Sequence, residues 1–181
     1  MTHNRNKYVF VIGPESSGST LIARIISANL NQHEFSEYNG TNFNADHFQH
    51  RICHRSLPSR NPRVPDWVDI DEWLHEFKDY KIYFVLCTRD IHISELSRLS
   101  RSRLVPGLNL SAQQFRDDSL RAREIIIDVM GRKLDYFLWS YETFLYLGRE
   151  YLRLLNRFLG VDADFMPKVQ DGNVKYLVGN Q

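Results

Sequence analysis

Lys7-Tyr8-Val9-Phe10-Val11-Ile12-Gly13-Pro14-Glu15-Ser16-Ser17-Gly18-Ser19-Thr20 is the stretch that decides the fold. After its lysine, the first part is an unbroken aromatic and β-branched run, the pattern of a parallel strand buried on both faces. Gly13 and Gly18 then bracket a polar loop. From Ser19 onward apolar residues recur at helical spacing, at Leu21, Ile22, Ile25, Ile26 and Leu30. The segment reads as strand, glycine loop, helix.

The same alternation continues outward. Residues 81–88 form a second continuous apolar run and residues 134–139 a third, with a further strand expected near residues 34–38. Helices are expected over 69–77, where Trp73 and Phe77 stand at i, i+4, and from Ile93 to a stop before Pro106-Gly107. Another runs from an N-cap at Ser111 to about Met130, and one amphipathic helix over 142–159 is closed by Gly160. Residues 39–66 are rich in Asn, His, Arg and Pro and read as an irregular excursion with one helix over 45–55. Strands alternating with helices, without repeat or linker, predict one α/β domain over residues 1–181: a three-layer, P-loop-like arrangement with a mostly parallel central sheet flanked by helices.

Composition narrows the function. The 181 residues are 43% hydrophobic and 25% charged, ordinary globular values that exclude disordered and collagen-like classes. A net charge of +1 argues against a general nucleic-acid binder. No apolar run approaches the roughly 20 residues that span a bilayer. With two cysteines and a polar start to the chain, a cytoplasmic protein is expected. Of the 23 basic residues, 17 are arginine, whose planar fork suits phosphate and sulfate oxygens.

Gly13 to Gly18 has the G-x4-G spacing of a phosphate-binding loop. Glycine lets the backbone curl into a nest of N–H donors, and the following helix N-terminus adds partial positive charge. The lysine with which nucleoside triphosphatases reach the β/γ-phosphates is missing: Ser19 follows the second glycine. Asp90, just past the second strand, is at most a displaced acid for Mg²⁺.

Ser16-Ser17-Gly18-Ser19-Thr20 resembles the 5′-phosphosulfate loop of sulfotransferases that use 3′-phosphoadenosine 5′-phosphosulfate (PAPS). Thr88-Arg89-Asp90, with Ser97 on the next helix, is similar to that family's 3′-phosphate motif. Ser140-Tyr141-Glu142 and the later Phe158-Leu159-Gly160 resemble two further segments, and residues 168–176 are loosely similar to the family's C-terminal basic loop. The matches fall in order along nearly the whole chain. The resemblance implies PAPS as co-substrate, PAP as product and no metal. It implies cofactor contacts from Ser16, Ser17, Gly18, Ser19, Thr20, Arg89, Ser97, Tyr141 (at the adenine) and Lys175. Arg98, Arg101 and Arg103 either thicken the positive field or form a solvated helix face.

One departure stands out. Ser16 occupies a position that carries Lys or Arg in much of the family, and losing such a charge typically costs about 10²–10³ in rate. Arg24, Lys168 and Lys175 are possible substitutes. Sulfuryl transfer to a hydroxyl or amine also requires a base. Glu37 is the first candidate, with Glu34 and His33 as rivals and His54 as the histidine alternative. His47, His50 and His54 would share one face of a 45–55 helix beside Cys53. That spacing is compatible with zinc, but no standard zinc signature matches. The acceptor, a glycan or small metabolite, is not encoded legibly, nor is the oligomeric state. Two other readings compete: a P-loop nucleotide or nucleoside kinase, and a catalytically weak nucleotide-binding relic.

Overall fold

The structure, a computed structural model, describes residues 7–31, 51–59, 65–102 and 111–177. Four parallel strands form its sheet: β1 (Lys7–Pro14), β2 (Arg51–Leu57), β3 (Lys81–Thr88) and β4 (Tyr136–Ser140), in the order β2-β1-β3-β4. The helices are α1 (Ser19–Asn31), α2 (Ile70–Glu76), α3 (Ile91–Ser102), α4 (Ala112–Gly131), α5 (Tyr141–Leu147), α6 (Arg149–Leu159) and α7 (Val174–Leu177). This is the expected α/β class with a parallel sheet between helices.

The period of the strands sorts the core into two layers. Val9 and Val11 of β1 join Ile22, Ile25 and Ile26 of α1 and Leu152, Leu155 and Leu159 of α6 on one face. Tyr8, Phe10 and Ile12 face the other way, against Trp73 of α2, Phe77 just beyond it, and Ala122, Ile126 and Val129 of α4. Phe10 stacks on Trp73 with ring centroids 4.2 Å apart, and Tyr8 lies 4.1 Å from Phe77. Each such fully buried side chain stabilises the fold by about 1.5–3 kcal/mol.

Helix ends follow the sequence signals. Ser111 caps α4 in a reciprocal capping box with Gln114. Asp69 caps α2 by accepting from the Glu72 N–H. Gly160 closes α6 in the left-handed region at φ 62°.

Three expectations need correction. Residues 51–55 are not helical: Arg51–Leu57 pairs with β1 from Tyr8↔Arg51 to Pro14↔Leu57, because Ile52, Cys53 and Leu57 bury their side chains in the sheet layers. The helix expected over 142–159 is two helices, broken at Gly148, whose φ of 52° ends α5 and starts α6. The third strand is Tyr136–Ser140, not 134–139. The strand expected near 34–38 lies outside the described residues.

Among the described residues β4 is at the edge of the sheet, and it has an internal cover. The Tyr151 hydroxyl accepts from the Ser140 N–H (3.1 Å) and donates to the Leu138 carbonyl (2.8 Å). A side chain of α6 thus occupies backbone groups that would otherwise invite another strand.

Candidate functional site

The site grows from the carboxyl end of β1, the edge where open parallel sheets bind ligands. The chain leaves β1 in a tight turn, with the Ser17 N–H donating to the Pro14 carbonyl at 3.0 Å. Ser16 (φ 69°) and Gly18 (φ 83°) are both left-handed, so the loop doubles back before entering α1. Gly18 is required on two counts. Its φ disfavours any side chain, and a Cβ there would lie 2.6 Å from the Tyr141 ring. The first N–H groups of α1 have no acceptor within the helix and point out of its N-terminus. The hydroxyls of Ser16 and Ser17 are buried without a hydrogen-bond partner. Ser17 turns inward, where a Cβ on Gly13 would meet its Oγ at 2.8 Å, whereas Ser16 lines the cavity.

That cavity, of about 300 Å³, is lined by Ser16, Gly18, Ser19 and Thr20 from the loop and α1. Arg89, just past β3, and Ser97 of α3 also line it, and Tyr141, Lys175 and Tyr176 complete the wall. Eight of the nine residues expected at a cofactor therefore line one cavity, Ser17 being the exception. Two cations and no carboxylate line it among the described residues. Its chemistry is that of an anion site.

Arg89 is held rigidly. It donates to the Ser16 carbonyl at 2.9 Å, places two N–H groups on Asn173 Oδ1 (Nε at 3.0 Å) and lies 4.6 Å over the Tyr141 ring. Tyr141 in turn accepts from the Gly172 N–H at 3.2 Å. Residues 171–176 thereby form a wall that sequence reading located only loosely. Asn173 and Tyr176 were missed there, although the neighbouring Lys175 was a signal. Burial raises the Tyr176 phenol, but hydrogen bonds with Lys175 and Ser97 and the charges of Lys175 and Arg89 outweigh it, so it ionises below the usual tyrosine range.

Arg98 corrects the reading of a basic helix face. It is 2% exposed, sandwiched between the loop and α4. It pairs with Glu15 (3.3 Å) and Asp118 (2.9 Å), donates to the Phe115 carbonyl and Ser119 Oγ, and lies 4.4 Å over the Phe115 ring. Its task is structural: it ties Glu15, the residue before Ser16, to α3 and α4. Arg103 and the side chain of Arg101 lie outside the described residues. Asp90 is an N-cap as well, accepting from the Ile93 N–H at 2.9 Å, and it does not line the cavity.

His54 stands on β2, in register with Val11, and its Nε2 is 2.8 Å from Ser19 Oγ. Burial, then the charges of Arg55 and Arg24, lower its pKa to about 4, so the ring is neutral near pH 7. Ser56, two residues along the same strand, lines the cavity and was missed because 45–55 reads as a helix. With His54 on a strand, the histidine face imagined for zinc does not run through it; His47 and His50 lie outside the described residues, as do Glu37, Glu34 and His33. Among the described residues no group of three His, Cys, Asp or Glu is placed to hold a metal ion. Nor is any helix among them long and apolar enough to cross a membrane.

Fold and site together define a parallel α/β protein with a glycine loop and an anion-type cavity at the sheet's carboxyl edge. No family model matches the chain, and no curated protein matches it. Among solved structures it is similar to the crystal structure of a sulfotransferase from Alicyclobacillus acidocaldarius, at 17% identity and a TM-score of 0.49, over 97% of this chain and 90% of that one.

Proposed function

We propose that this protein is a sulfotransferase that moves a sulfuryl group from PAPS to a hydroxyl or amine of an acceptor. One observation carries the reading. The loop residues Ser16, Gly18, Ser19 and Thr20 share a cavity with Arg89, Ser97, Tyr141 and Lys175, and no described carboxylate lines it. A nucleotide carrying phosphate at both ends of its ribose needs two sets of donors, and the loop on one hand and Arg89, Ser97 and Lys175 on the other are the sets this reading uses. The buried, unpartnered Ser16 hydroxyl is a donor awaiting an oxyanion.

In this reading the free loop N–H groups, Ser16, Ser19 and Thr20 hold the 5′ phosphosulfate, while Ser17, whose N–H is bound to the Pro14 carbonyl, only shapes the turn. Arg89, Ser97 and Lys175 hold the 3′-phosphate, and Tyr141 lines the adenine site. When bound, PAPS supplies an activated sulfuryl group whose leaving group is a phosphate. The residues orient it and offset charge; the acceptor's proton passes to a base, for which Glu37 and His54 are the candidates. The S–O bond to the 5′-phosphate breaks as the bond to the acceptor forms, leaving PAP.

The kinase reading needs a lysine after Gly18 and an acid for Mg²⁺. Ser19 stands at the first, and Asp90 is engaged as a cap. A thermal-shift series separates the readings. PAP without Mg²⁺, at about a hundred times its Kd, should raise Tm by roughly 5–10 °C. A larger shift with Mg-ATP would favour the kinase. Arg89→Ala should abolish the PAP shift, and an unchanged shift would remove Arg89 from the 3′-phosphate site. Transfer of labelled sulfate from PAPS across an acceptor panel then distinguishes enzyme from relic.

A further inference from the structure

The loop lacks a fixed positive charge at Ser16, yet a titratable ring lies against Ser19, where the loop enters α1. Ser19 opens α1, lines the cavity and is 3% exposed, and its hydroxyl is 2.8 Å from His54 Nε2. Oγ can accept one hydrogen bond while donating another, so whichever way this pair is polarised decides what Ser19 offers a ligand. If Ser19 donates to the ring, its proton points away from the cavity. If the ring donates, the Ser19 proton is free to point at an oxyanion.

We propose that His54 is a positioning residue acting through Ser19: when an oxyanion enters the loop, His54 takes up a proton from solvent, donates through Nε2 to Ser19 Oγ and turns the Ser19 hydroxyl onto the anion. Below about pH 6 the histidine then brings, in the bound state, the positive charge that the loop lacks at Ser16. No covalent bond changes, and the one proton gained comes from water. This inference rests on the oxyanion reading of the cavity and assigns His54 a role other than general base.

The surroundings of His54 fit a ring that is neutral until an anion arrives. Arg24 projects from α1 and Arg55 flanks it on its own strand, and both oppose its protonation. On the β1 side its register partner is Val11, which carries no charge, and Cys53 beside it is a buried thiol pushed up to about 12 by burial. An opposite charge within about 4–6 Å raises such a group by roughly 1–3 pH units.

The test is a pH titration of the imidazole carbon-bound protons of the full chain by NMR, with His54 assigned through backbone-linked spectra, free and saturated with PAP. The His54 midpoint should rise from about 4 by about two units on binding. In parallel, PAP affinity is followed between pH 5 and 8 in wild type and His54→Gln, whose amide can donate to Ser19 but cannot charge. The variant should bind within about threefold of wild type at pH 8 and fall about tenfold behind it at pH 5, a ratio in which the ligand's own titration cancels. Ser19→Ala should weaken binding at both ends. A midpoint that stays put, or identical pH profiles for wild type and His54→Gln, would overturn the inference while leaving the anion site intact. Absence of PAP binding at every pH would overturn the site reading and the inference together.

Discussion

Replacing Arg98 with methionine should cost more stability than any change on the solvated faces of α3 and α4. The guanidinium is 1% exposed while its partners Glu15 and Asp118 keep 20% and 16% of their side-chain surfaces. Removing one member of a buried ion pair typically costs about 3–5 kcal/mol, because the remaining charge is stranded. Here both carboxylates retain some water, which places the ion-pair part near the lower end. Loss of the donations to the Phe115 carbonyl and Ser119 Oγ adds about 0.5–1.5 kcal/mol each, and the methionine stem recovers part of the packing. A net loss of about 3–4 kcal/mol is expected. With a urea m-value of about 2 kcal/mol/M, the unfolding midpoint should fall by roughly 1.5–2 M at unchanged m. Neutralising the two carboxylates as well, in Arg98→Met with Glu15→Gln and Asp118→Asn, should restore at least about half of the loss. A midpoint drop below about 0.5 M, or a triple variant no more stable than the single one, would refute the clamp.

Gly18→Ala should destabilise by about 2–4 kcal/mol, from the left-handed φ of 83° and the 2.6 Å approach to Tyr141, and should abolish the PAP-induced rise in Tm. Acidification should weaken the fold through His54. Its folded pKa of about 4 lies below the ordinary 6.5, so the unfolded chain binds the extra proton. The stability this contributes is complete above about pH 6.5 and is lost as pH falls towards 4, about 3 kcal/mol in all. Urea unfolding of His54→Gln should show a correspondingly shallower slope over that window, and equal slopes would count against the buried neutral ring. Tyr151→Phe strips the cover from Leu138 and Ser140 at the edge of β4 and should cost about 1–2 kcal/mol. Sedimentation should also show greater self-association at high concentration, since an uncovered edge accepts strands.

Local signals carried most of the fold. β1 and β3 declare themselves as unbroken apolar runs because parallel strands are buried on both faces, and Ser111 and Gly160 mark helix ends by chemistry that acts within one turn. β2 escaped because its sequence mixes Ile52, Cys53 and Leu57 with two arginines and a histidine. Its identity depends on pairing with β1, some forty residues back, and no local pattern reports that. The break at Gly148 was hidden similarly: heptad-like leucines run through α6, and only the backbone angle shows that α5 is a separate turn. Of the site, the loop and Arg89 were legible since each sits at a strand end. Asn173, Tyr176 and Ser56 were not, because they reach the cavity from segments whose path is set by tertiary packing.

The arginine excess also divides once packing is known. Arg89 faces the cavity but is bound to Ser16, Asn173 and Tyr141, so its charge is oriented before any ligand arrives. Arg98, nine residues on, never meets the cavity and instead fixes Glu15 beneath the loop. Both arginines reach the Glu15-Ser16 pair, one at the Ser16 carbonyl and one at the Glu15 carboxylate. Ser16 can therefore hold its left-handed φ of 69° without being glycine: the cost of that backbone, about 1–2 kcal/mol, is offset by two anchors flanking it. A lysine at this position would bring charge through a flexible stem. A serine held this way brings a short donor whose direction is set by the backbone. In the proposed transfer Ser16 would act as a preorganised donor, which works by avoiding rearrangement when charge develops.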